Sequence, residues 1–134
     1  MFDIHVLCDG NWNQPEVEIS GSWKAFAKFS AFLKTIRHST VVRLPKHDSE
    51  FYPVCINDML ISLDESTGPR LTVTIDESKF TIAGTNESLA LLGENVEFDE
   101  KTPDGYHFHM DYYEGNQELN ETNCSLIFSC IGEC

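Results

Sequence analysis

One short pattern is written twice in this chain, and the repetition limits what the chain can fold into more than any other feature. Ile19-Ser20-Gly21-Ser22 runs into a helical pattern containing Phe26-Ala27, and Ile82-Ala83-Gly84-Thr85 runs into one containing Leu89-Ala90. In each copy an alternating apolar segment stops at a glycine. A hydroxyl residue follows, able to accept a hydrogen bond from the first turn of a helix. The offset between copies is 63, as from Ile19 to Ile82. A junction of this kind recurring at a fixed offset points to an internal duplication.

The flanking patterns carry the duplication further. Phe2, Ile4, Val6 and Cys8 alternate with more polar residues, residues 9–15 are dense in turn formers, and Glu16 to Ser20 reads as the returning strand. Phe26, Phe29, Leu33 and Ile36 recur at three- and four-residue steps, which predicts a helix from about Trp23 to Arg37. Short strands follow at Val41–Leu44 and Met59–Leu63, separated by a polar loop that Phe51-Tyr52-Pro53 anchors. The second half repeats the plan. Strands at Leu71–Ile75 and Phe80–Ala83 lie around a turn at residues 76–79, a shorter helix after Thr85 stops at Gly93, and strands run over Tyr106–Tyr112 and Leu126–Ser129.

The predicted order is strand-strand-helix-strand-strand, twice. Residues 1–134 form a single domain of pseudo-repeats 1–67 and 68–134, with the seam at Asp64–Pro69. The fold class is α+β: a mostly antiparallel sheet of about eight strands with two helices on one face. Matching Leu60 to Leu126 raises the offset to 66, so the additional residues fall in the acidic connection after the second helix.

With 134 residues, one domain is expected, burying about two-thirds of the unfolded chain's surface. The formal net charge is -13. Nucleic acid and anionic membrane would repel such a surface, whereas a basic protein would be attracted to it. The acidity is uneven. Residues 1–67 carry 9 acids and 6 bases, and residues 68–134 carry 13 acids and 3 bases, so a binding surface is sought in the second half. Met1 to Cys8 has neither the basic start nor the long apolar core of a signal peptide, and no apolar run approaches the roughly 20 residues of a membrane span. The five cysteines form an odd set, read as the reduced thiols of a cytoplasmic protein.

Two stretches of the second half carry residues able to do chemistry. In a strand, His107, His109 and Asp111 share one face at steps of about 7 Å, and two imidazoles with a carboxylate are plausible zinc ligands. No fourth ligand is placed by that spacing, and the same residues equally make the polar face of a strand whose Phe108, Met110 and Tyr112 turn inward. Metal is therefore not assigned. Cys124, Cys130 and Cys134 match neither a zinc ribbon nor a redox pair. No nucleophile elbow, metalloprotease helix or carboxylate pair appears, so neither an enzyme nor a cofactor is expected. The second stretch, residues 94–104, holds Glu94, Glu97, Phe98, Asp99, Glu100 and Asp104, with Tyr113 and Glu114 farther on. Phe98 as an apolar anchor among steering carboxylates would suit a basic partner. The plain alternative is a solvated connection with Val96 or Phe98 tucked into the core.

Lys79 to Leu92, Tyr106-His107-Phe108-His109-Met110-Asp111-Tyr112-Tyr113 and Ser125-Leu126-Ile127-Phe128 resemble a small family of bacterial immunity proteins found with polymorphic toxins. The resemblance covers the second half. It implies a cytoplasmic protein that neutralises a cognate toxin domain by tight binding, and it carries no catalytic residues across. The expected function is thus an immunity-like or antitoxin-like binding protein that meets a basic toxin through an acidic surface. It would be a monomer or a homodimer joined at a sheet edge. The alternatives are a metal-binding sensor or enzyme using His107, His109 and Asp111, or a general protein-interaction domain.

Overall fold

The computed structural model describes residues 2–46, 52–76 and 79–131. Both repeated junctions fold as their residues dictate. Strand β2 (Glu16–Gly21) returns from β1 (Ile4–Cys8) and leads into helix α1 (Trp23–Thr35), where the Ser22 side chain accepts a hydrogen bond from Ala25 N. The first half continues through β3 (Thr40–Arg43), β4 (Val54–Ile56) and β5 (Asp58–Leu63). In the second half β6 (Thr72–Asp76) and β7 (Lys79–Gly84) lead into α2 (Asn86–Asn95). Thr85 caps α2 in a reciprocal box with Ser88, each side chain bonded to the other residue's backbone N–H. β8 (Tyr106–Met110) and β9 (Ser125–Cys130) complete the chain.

The architecture is α+β, but the strands divide between two sheets. One has the order β4-β1-β2-β9-β8 and the other β3-β5-β7-β6. The reason is that the halves exchange strands. β2 pairs in parallel with β9, and β5 pairs in parallel with β7, each over six residue pairs. The helix following β2 thus carries the chain from one sheet to the other, and the helix following β7 carries it back. Every other strand pairing is antiparallel.

Register also corrects the matching of the halves. Ile19 faces Phe128, and Ile61 faces Ile82. With Ile19 equivalent to Ile82, Phe128 is therefore the counterpart of Ile61, and Leu126 that of Met59. The offset at the last strand is 67, not the 66 obtained by pairing Leu60 with Leu126. Burial agrees: Met59, Ile61, Leu126 and Phe128 are all fully buried, whereas Leu60 is half-buried. A one-residue slip exchanges the two faces of a strand.

The helices meet close to the pseudo-twofold axis, because residues 63 apart touch one another. Ser30 Oγ donates to Gly93 O at 2.7 Å, and Lys34 is ion-paired with Glu97. Gly93 therefore lies inside α2 and does not end it. A Cβ there would sit 3.0 Å from Ser30 O and 3.2 Å from Lys34 Cγ, so the glycine permits the close approach of the helices. Phe26, Phe29, Leu33, Leu89 and Leu92 join the inner faces of both sheets in one apolar cluster. No helix among the described residues is long and apolar enough to cross a membrane. The expected loop at residues 47–50, the Phe51 contact, part of the turn at 76–79 and Cys134 lie outside the described residues.

Candidate functional site

β8 is one of the two outer strands of the five-stranded sheet, and the sequence-predicted site residues gather at its two ends. At its start lies the connection from α2. This segment is tied down by its apolar members: Val96 is fully buried and Phe98 is 6% exposed. The Phe98 ring stands edge-on to Phe26 at 4.9 Å and to Tyr106 at 5.6 Å between centroids. Phe98 is thus a core residue and not an anchor offered to a partner, since burying an aromatic ring against its own core outweighs displaying it. The carboxylates beside it point outward. Glu94, Asp99, Glu100 and Asp104 are exposed. Glu97 is also exposed but already engages Lys34. The Asp99 carboxylate accepts from Lys101 N at 2.8 Å, and Asp99 N donates to Thr102 Oγ1 at 3.0 Å, closing a turn.

At the other end the strand stops at Met110, one residue short of Asp111, which was expected to continue the face of the two histidines. The segment after it is organised by Asn116, only 4% exposed. Its Nδ2 donates to Asp111 O at 2.6 Å, and its Oδ1 accepts from Glu118 N at 2.6 Å and Leu119 N at 3.0 Å. Leu119 is fully buried and locks the loop to the body. Tyr113, 64% exposed, and Glu114 project from this frame.

Between the two ends, His107 and His109 are exposed on the outer face, with ring centroids 6.1 Å apart. Sequence reasoning missed their neighbours. His107 Nδ1 lies 2.9 Å from Ser129 Oγ, which donates to Glu18 Oε2 at 3.3 Å. With the serine proton directed to the carboxylate, the imidazole is the donor to the hydroxyl and carries its proton on Nδ1. A nucleophilic serine needs the imidazole between it and the acid. Here serine occupies the middle. Among the described residues no three His, Cys, Asp or Glu side chains converge to hold a metal ion.

Other features offer little chemistry. Burial pushes the Cys124 thiol up to about 12 and also raises Cys8 and Cys130, which makes all three poor nucleophiles at neutral pH. An apolar cleft beside α2, lined by Leu71, Leu91, Leu92 and Met110, measures about 50 Å³. Small-molecule sites run to about 300–1,000 Å³. Two more open clefts reach that range, one of about 470 Å³ between the end of α1 and Asn86 and one of about 430 Å³ between Glu65, Pro69 and Glu87. Trp12, in the turn between β1 and β2, is 37% exposed.

Compared with protein-family models, curated proteins and solved structures, the chain matches none.

Proposed function

We propose that the chain is an immunity-like or antitoxin-like binding protein that neutralises a basic partner domain through the acidic surface bordering β8. The observation that carries this reading is the combination of display and fixation. Glu94 in the last turn of α2, and Asp99, Glu100, Asp104 and Glu114 on the connections flanking β8, are exposed, while Val96, Phe98, Asn116 and Leu119 of the same connections are buried. Carboxylates held on ordered backbone need little reorganisation on binding, and their summed field accelerates encounter with a cationic surface. A nuclease cleft that normally holds phosphates is a partner of the right charge. The family resemblance of the second half supports the same reading, as does the formal net charge of -13. The protein would act in the cytoplasm, without a cofactor and without catalysis of its own.

The test is co-purification with the product of the neighbouring gene, followed by charge reversal. Glu94, Glu100 and Glu114 are the informative positions, because reversing Glu97 or Asp99 would also remove the Lys34 pair or the 99–102 turn. The triple variant E94K/E100K/E114K should bind more weakly and lose most of the salt dependence of binding. Unchanged affinity across salt concentrations would remove this surface from the site.

A further inference from the structure

Among the described residues, the two sheets present four outer strands, and they are not equivalent. β4 is only three residues long. The start of β6 is covered by residues 118–122: Leu71 N donates to Glu118 O at 2.9 Å, Asn120 N donates to Leu71 O at 2.8 Å, and Thr122 Oγ1 donates to Val73 O at 2.9 Å. That leaves β3 and β8, which the pseudo-twofold axis relates to each other. Their borders have opposite charge. β3 carries Arg43, follows Arg37 and His38, and precedes Lys46. β8 contains neither lysine nor proline, the residues that usually blunt an edge. Asp99, Glu100 and Asp104 precede it with a single lysine, Lys101, among them, and Asp111 and Glu114 follow it.

We propose that the free edge of β8 accepts an extended basic segment of the partner protein as a sixth strand of the five-stranded sheet. This rests on the acidic-surface reading above and adds how that surface is engaged. Main-chain hydrogen bonds supply the attachment in such strand addition, and alternate side chains supply the selectivity. Five residues at about 3.4 Å each give an edge of roughly 17 Å with carboxylates at both ends, so the incoming segment is basic at both ends. On one face its side chains run beside exposed His107 and His109. On the other they run beside Tyr106, 46% exposed, and half-buried Phe108. The segment that fits alternates polar or basic residues with apolar ones.

The test uses the full chain and a peptide of about seven residues alternating lysine and valine, matched to the length of the edge. A twin N-methylated at every second residue keeps the charge but loses the donors of one edge. Calorimetric titration should show saturable binding of the parent, with the twin weaker by about tenfold or more, as expected from removing a few main-chain hydrogen bonds. Amide exchange should slow on binding in residues 106–110 and not in β3. H109K, an edge lysine on an exposed position, should weaken the parent peptide to a similar extent. Absence of parent binding, or equal binding of both peptides, overturns the proposal. If equal binding is accompanied by a loss of affinity in E94K/E100K/E114K, the acidic surface stands and only strand addition fails. If that variant also binds both peptides normally, both readings fail. Concentration-dependent self-association without peptide, abolished by H109K, would make the basic β3 of a second copy the occupant and equally overturn the proposal.

Discussion

A methyl group on Gly84 would lie 2.5 Å from Ser88 Oγ and 2.7 Å from Leu71 Cδ2, whereas one on Gly21 would meet Ile4 Cγ2 at 3.0 Å and Asp3 O at 3.2 Å. The two copies of the junction are therefore alike in sequence and unequal in tightness. Ser88 is the reciprocal partner in the α2 cap, so making room for the added methyl sacrifices the cap as well as straining the packing. Gly84→Ala should cost about 1–3 kcal/mol and Gly21→Ala less, as read from urea unfolding of the two variants. A second residue-scale expectation concerns alkaline pH. Burial pushes Cys124 from 9.0 to about 12, and burial with the Glu16 hydrogen bond pushes Tyr52 from 10.0 to about 12. Folded values above unfolded ones mean that these groups favour folding fully below their ordinary pKa, and that the contribution fades as pH rises through the folded value. The melting temperature should fall between about pH 9 and pH 12. In Tyr52→Phe the phenol's share of that decline should vanish, and an unchanged slope would exclude Tyr52 as a contributor.

At the level of elements, Phe98 separates what the connection after α2 displays from what it buries. Phe98→Ala should lower stability by about 3–5 kcal/mol, the usual cost of emptying a buried aromatic site. At temperatures where the variant is folded, the association rate with a basic partner should survive. A variant of normal stability that no longer binds would return Phe98 to the interface. The strands other than β4, the helices and both caps were legible because each is written locally, in alternation, three-to-four periodicity and a hydroxyl after a glycine. Gly93 was misread for a physical reason: a glycine near the end of a helical pattern signals a stop unless a second helix is known to press on it. β4 was missed because Val54-Cys55-Ile56 is too short to show a period. The direction of Phe98 was illegible as well, since an apolar residue in an acidic run looks the same whether it anchors a partner or its own core.

On the scale of the whole molecule, the division into two sheets lay beyond local pattern, because it depends on which half each strand chooses as neighbour. The same limit hid the Glu18–Ser129–His107 chain, whose first link joins residues 111 positions apart. The acids around β8 were visible as composition, but their arrangement at the two ends of one edge strand was not. Strand exchange also makes a prediction that a self-contained repeat would not. Residues 1–67 alone keep the β4-β1-β2 strands and the β3–β5 pair but leave β2 without β9 and α1 without α2. Residues 68–134 alone keep β6–β7 and β8–β9 but leave β7 without β5. Isolated two-stranded pairs are marginal in water, the three-residue β4 adds little to one, and the apolar cluster takes residues from both halves. Each half expressed separately should show no cooperative thermal transition by circular dichroism. An equimolar mixture should regain native-like ellipticity and a sharp transition whose midpoint rises with concentration. A cooperative transition in either half by itself would mean that the repeat closes its own core and that the exchange of strands is not required for folding.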